Sequence, residues 1–146
     1  MRLYPPIWFL LFAAAIYWTR GLWPLSSELM VGSKILSIVL IVSGLLLAIW
    51  AAVTFRSFHT TSHPYAEASC LVTGGPYRHT RNPMYLSLLM CLLALSLWLQ
   101  SLFALPFSFV FVLVINRYNI VPEEQYLERR FGKAFSDYCT KTRRWL

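Results

Sequence analysis

Four long stretches of the chain run almost without charge, and short polar segments separate them. A bilayer crossing needs about 20 apolar residues, or somewhat fewer at the short end. The first stretch covers residues 5–24, with Arg20 shortening its clean apolar part. The second, residues 35–55, contains no charge at all. The third and fourth, residues 83–99 and 102–115, are parted only by Gln100-Ser101, so they predict an antiparallel helical hairpin with Pro106 in the first turns of its second arm. The Met1-Arg2 start and Ala13-Ala14-Ala15 give the first stretch some likeness to a signal peptide. The aromatics Trp8, Tyr17 and Trp18 and the lack of a clear cleavage site favour a retained helix.

After the fourth stretch the pattern changes. Val121-Pro122-Glu123-Glu124 reads as a helix start, with proline in the first turn and acids beside the positive end of the helix dipole. At 100° per residue, Ile120, Leu127, Phe131, Phe135 and Tyr138 fall in one arc, with Arg129, Arg130, Lys133, Ser136 and Asp137 opposite. Residues 119–146 therefore predict an amphipathic helix, or a helix pair broken at Gly132, lying on the membrane or the bundle. Glu124 falls in the middle of the apolar arc and Glu123 near its edge. A carboxylate on such a face needs a partner, either Arg78, Arg81 or Arg117 in an ion pair or a cationic or hydroxyl-bearing ligand.

Composition agrees with the pattern: 58% of residues are hydrophobic and 13% charged, against roughly 25% charged in soluble domains. The mean hydropathy is +0.55. The 146 residues make one domain, and the fold class expected is an all-α polytopic membrane protein of about four transmembrane helices with a cytosolic amphipathic tail. A net charge of +7 raises nucleic acid as a partner, but no DNA-binding motif accompanies it and the basic residues flank apolar spans. Those basic residues set an orientation. Arg2, Arg56, Arg78, Arg81, Arg117 and the tail's Arg129, Arg130, Lys133, Lys141, Arg143 and Arg144 fall on one side, and Arg20 and Lys34 on the other. By the positive-inside rule both termini, the loop 56–82 and the tail face the cytoplasm, as expected for a bacterial inner-membrane protein.

That loop carries the candidate chemistry. Gly74-Gly75-Pro76 predicts a turn that allows unusual backbone angles or close approach to a ligand. Arg78 and Arg81 stand beside Asn82-Pro83, a helix start with asparagine as N-cap and proline at the first helical position. Two arginines at a helix N-terminus suit an anionic group. Each also has a plainer reading as a headgroup anchor. His59, His63 and His79 lack metal-ligand spacing, and Cys70, Cys91 and Cys139 imply neither a disulfide framework nor a zinc site, so no metal is expected.

Several segments in fixed order resemble the isoprenylcysteine carboxyl methyltransferase-like family of integral membrane methyltransferases and its phospholipid N-methyltransferase relatives. They are Phe58-His59-Thr60-Thr61-Ser62-His63-Pro64, Leu71-Val72-Thr73-Gly74-Gly75-Pro76-Tyr77-Arg78 and Thr80-Arg81-Asn82-Pro83-Met84-Tyr85. Asn116-Arg117-Tyr118, Pro122-Glu123-Glu124 with Leu127, Phe131-Gly132, and Tyr138-Cys139 with Arg143-Arg144-Trp145 follow. The resemblance implies S-adenosylmethionine as methyl donor, leaving S-adenosylhomocysteine, bound between the loop and the Glu-Glu helix. On that basis Gly75, Tyr77, Arg78, Arg81, Asn82, Tyr85 and Glu124 are expected around the cofactor. Asn116 and Arg117 are expected to face the acceptor or organise the Glu pair, and Arg117 and Glu123 are the catalytic candidates. Asn82 stands where the family pattern has histidine, which keeps a hydrogen-bonding group and removes a titratable ring.

The function expected is therefore methyl transfer to a lipophilic, membrane-embedded acceptor bearing a carboxylate, thiol or amine, with a homodimer allowed for. The rival is a non-catalytic membrane scaffold whose basic face binds anionic lipid. A transporter is disfavoured, because the hairpin lacks intramembrane charges and broken helices.

Overall fold

The computed structural model describes residues 4–20, 30–58 and 70–146, and every regular element among them is helical. Residues 21–24 of the first expected span and the motif from His59 to Pro64 lie outside the described residues. The helices are α1 (Pro5–Trp18), α2 (Met30–Ser57), α3 (Pro83–Trp98), α4 (Leu105–Ile115), α5 (Val121–Phe131) and α6 (Lys133–Lys141). Two continuous helices are long and apolar enough to cross a bilayer, Val31–Ser57 and Leu105–Phe131, while α1 and α3 are shorter apolar helices.

The second of these corrects the expected division between span and tail. Instead of ending near residue 115 and restarting at Pro122, the chain stays helical through a π turn, Asn116–Ile120, in which the Val121 amide reaches back to the Asn116 carbonyl. Proline has no amide to donate, and its ring crowds the carbonyl one turn earlier. The wider π turn makes room without breaking the helix. The break comes instead at Gly132, whose φ of +50° separates α5 from α6.

The four apolar helices alternate in direction. Near one end, Trp8 of α1 stacks on Tyr118 at 5.9 Å, and Phe58, just past α2, lies against Gly74. At the other end the Ser101 hydroxyl donates to the Thr19 carbonyl, closing the turn between α3 and α4 against the exit of α1. Gln100 in that turn takes φ +55°. α1, α3 and α4 share an apolar core of Ile16, Leu92, Phe111, Ile115 and Ile120. α2 packs on α3 through small side chains: the Ser37 hydroxyl donates to the Ala94 carbonyl at 2.7 Å, and a Cβ on Gly44 would stand 3.2 Å from both Met90 Cβ and the Ser87 carbonyl oxygen.

The remainder of α2 is bare. Val31, Ile35, Leu36, Ile38, Val39, Ile41, Val42, Leu45, Leu46, Ile49 and Val53 are all exposed. An apolar surface that continuous is stable only against hydrocarbon, so the protein is a membrane protein. The tail follows its predicted arc: Ile120 and Phe135 are buried, Leu127, Phe131 and Tyr138 half-buried, and Arg129, Arg130, Lys133, Ser136 and Asp137 exposed.

Candidate functional site

The site lies at the end where α2 finishes, α3 begins and the π turn leads into α5. Its floor is the turn Gly75–Arg78, a single 3-10 turn. Gly75 has φ +56°, and a Cβ there would come within 2.5 Å of Thr54 Oγ1 and 3.3 Å of Trp50 Nε1. Only glycine fits both the backbone angle and the space above α2. The turn buries Tyr77 against Val72, Ala51, Phe55 and Met84. The loop is thus anchored by an aromatic, while Arg78 and His79 remain exposed.

Arg81 and Glu124 meet, as one of the expected pairings required. Arg81 Nη1 lies 3.3 Å from Glu124 Oε1, and both side chains are largely buried, at 15% and 17% exposure. Arg144 adds a fork the sequence did not reveal, with Nε donating to Oε1 at 3.1 Å and Nη2 to Oε2 at 2.5 Å. The cluster therefore holds two cations and one anion. Hydrogen bonding to Glu124 raises the Arg144 pKa above its ordinary value. Arg81 Nη1 also contacts Cys139 Sγ, while Arg81 Nε is buried with no hydrogen-bond partner.

Arg144 is carried by an extended segment that zips along the loop. Thr80 and Arg143 form a parallel bridge, and the Arg81 amide donates to the Arg143 carbonyl at 2.9 Å. The Arg144 carbonyl accepts from Thr80 Oγ1 at 3.2 Å and from Asn82 Nδ2 at 3.0 Å. Trp145 Nε1 donates to Asn116 Oδ1 at 3.2 Å, and Tyr138 OH to the Tyr77 carbonyl at 2.7 Å. Burial pushes the Tyr138 phenol up to about 12, against the opposing pull of Arg81. Tyr77 is raised as well, by burial first and then by the charge of Glu123.

These contacts correct the expected role of Asn82. It occupies the N-cap position of α3, and its carbonyl accepts the Leu86 amide, but its side chain caps nothing. The amide group is committed to the Arg144 carbonyl instead, so the first-turn amides of α3 have no side-chain partner from it.

The remaining candidates divide. Tyr85 OH donates to Glu123 Oε2 at 3.0 Å, so those two share the site, with Glu123 at its exposed side. Asn116 joins through Trp145, whereas Arg117 is exposed on the π turn. Arg144, Trp145, Thr80 and Tyr138 were not singled out for the site. Thr80 opened the quoted Thr80–Tyr85 segment, and Tyr138, Arg144 and Trp145 stood in the last quoted segments.

A helical membrane protein with a polar, cation-rich cluster at one end of its bundle is the class that fold and site define. The profile of the phospholipid methyltransferase family matches residues 33–134, and the chain belongs to that family of integral membrane methyltransferases. An uncharacterised protein of Haemophilus influenzae is 51% identical over 63 residues, which is 43% of this chain and all of that protein. No solved structure matches the chain.

Proposed function

We propose that the protein transfers a methyl group from S-adenosylmethionine to a lipophilic acceptor in the bacterial inner membrane. In this reading α1 to α4 all cross the bilayer and both termini face the cytoplasm. The observation that carries it is the convergence of Gly75, Arg81, the start of α3 and Glu124 at one end of the bundle, with Arg81 Nε buried and unpartnered.

The donor set fits the cofactor. The free Arg81 Nε and the first-turn amides of α3 suit a carboxylate. Glu124 keeps acceptor capacity beyond its three present contacts, which suits an ammonium or a ribose hydroxyl. Tyr77 and Tyr85 supply aromatic walls, Asn82 fixes the loop, and the Gly75 turn allows close backbone approach. Arg78 adds a cation at the exposed rim.

S-adenosylmethionine brings an already activated methyl group, so the protein's task is positioning rather than nucleophilic attack. Asn116 and Arg117 line the acceptor side. Glu123, oriented by Tyr85, takes a proton when the acceptor is an amine or hydroxyl, and a carboxylate or thiolate needs no base.

The closed Arg81–Glu124–Arg144 cluster also favours a second reading, a scaffold in which Glu124 only neutralises arginines. Titration of the detergent-purified protein with S-adenosylhomocysteine separates the two. The enzyme reading expects binding by the wild type, lost in Arg81→Ala and in Glu124→Gln without unfolding. No heat of binding to the wild type would sink it.

A further inference from the structure

Glu124 can serve a cofactor only if its carboxylate is aimed. The acid sits on a flexible two-carbon stem in α5. Arg81 restrains it through a single long contact of 3.3 Å, whereas charge-assisted hydrogen bonds are typically about 2.7–2.9 Å. Arg144 grips both oxygens in a planar fork, which fixes the plane of the carboxylate as well as its position.

The fork is itself held. The Arg144 carbonyl takes two hydrogen bonds from Thr80 and Asn82, the Arg143 carbonyl takes the Arg81 amide, and Trp145 is tied to Asn116. A chain of direct contacts therefore runs from Asn82, at the start of α3, through the Arg144 backbone and guanidinium to Glu124. The Arg144 side chain is 41% exposed, so it covers the acid from the solvent side. Residue 144 also lies beyond the segment matched by the family, which ends at 134.

We propose that Arg144 is a positioning residue for cofactor binding: it fixes the orientation of Glu124, and Asn82 fixes Arg144. Arg144 is itself 41% exposed, and Glu124 keeps Arg81 as a partner when Arg144 is removed, so its loss costs the fold little and site and fold separate. The proposal rests on the functional reading above, and its test keeps the two apart.

The test is calorimetric titration of the full chain in detergent with S-adenosylhomocysteine, comparing wild type, Arg144→Ala and Arg144→Lys, alongside thermal unfolding. Arg144→Ala is expected to weaken binding roughly tenfold or more with an unchanged unfolding midpoint. Lysine, a point charge without the fork, is expected to fall between. Added guanidinium is expected to restore affinity in Arg144→Ala and leave the wild type unaffected. Wild-type affinity in Arg144→Ala overturns the proposal, as does tighter binding, which would make Arg144 a competitor for Glu124. Failure of guanidinium to restore binding also overturns it. Where Arg144→Ala does not fold, Arg144→Lys decides, and wild-type affinity there overturns the proposal. If the wild type itself does not bind, the functional reading fails and this one falls with it.

Discussion

The seam between α2 and α3 and the junction between the loop and the tail are held by opposite means. The seam is close and built of small, uncharged side chains. Ser33, Ser37, Gly44 and Ala51 of α2 are buried, as are Ser87 and Ala94 of α3, so the backbones approach without large side chains between them. Inside a bilayer, where lipid is as apolar as leucine, such fit and a few interhelical hydrogen bonds are what remains to drive association. The junction is polar and joins residues far apart in sequence, with Arg144 reaching Glu124 and Asn82. Its contacts are directional, which suits the ligand-holding role proposed for it. The difference teaches where to look for separate effects: changes in the seam are expected to act on the fold, and changes in the junction on the site.

Overpacking the seam should give the largest effect. Gly44→Val puts a branched side chain where even a Cβ would sit 3.2 Å from Met90 Cβ and the Ser87 carbonyl. We expect a loss of about 3 kcal/mol, near the upper end for overpacked cores, measured by unfolding in detergent. The protein that remains folded should keep wild-type affinity for S-adenosylhomocysteine. A fall in affinity at full folding would show that seam and junction are coupled.

Gly75→Ala attacks the point where the loop rests on α2. The positive φ costs an alanine about 1–2 kcal/mol, and its Cβ meets Thr54 Oγ1 at 2.5 Å. We expect a total near 2 kcal/mol and a marked loss of cofactor affinity. Thr54→Ala in the same chain should recover the steric part and leave the backbone part. Complete recovery would mean that the backbone angle is not enforced.

Much of this scaffold is legible in the sequence, because uncharged runs report burial in lipid directly. The inward setting of Glu124 is legible too, since helical periodicity carries a residue's face wherever the helix is regular. Two features are hidden for physical reasons. Pro122 after Val121 looks like a helix start, because local preference cannot show that a π turn will absorb the proline. Arg144 meets Glu124 only because Gly132 turns α6 away from α5 and Thr142, with φ −128° and ψ 129°, straightens the chain along the loop. No periodic pattern encodes a contact made by two changes of direction. Asn82 fails for a related reason: the local rule makes it a cap, and the tertiary partner wins its side chain.

The smallest effect tests the junction by pH. Tyr138→Phe removes the hydroxyl that donates to the Tyr77 carbonyl at 2.7 Å, at a cost of about 1 kcal/mol near neutrality. The phenol must stay protonated to donate. Its pKa rises from 10.0 to about 12 in the folded protein, mainly through burial. A raised phenol favours the fold while it is neutral, so its contribution is complete below pH 10 and disappears as pH climbs through about 12. Unfolding curves of wild type and Tyr138→Phe should therefore differ at pH 8 and converge as pH rises above 10. Tyr77, raised in the same direction, is present in both proteins, and the two largest causes of its shift, burial and Glu123, are common to them. Curves that stay parallel across that window would remove the Tyr138 hydroxyl from the contacts that hold the tail to the loop.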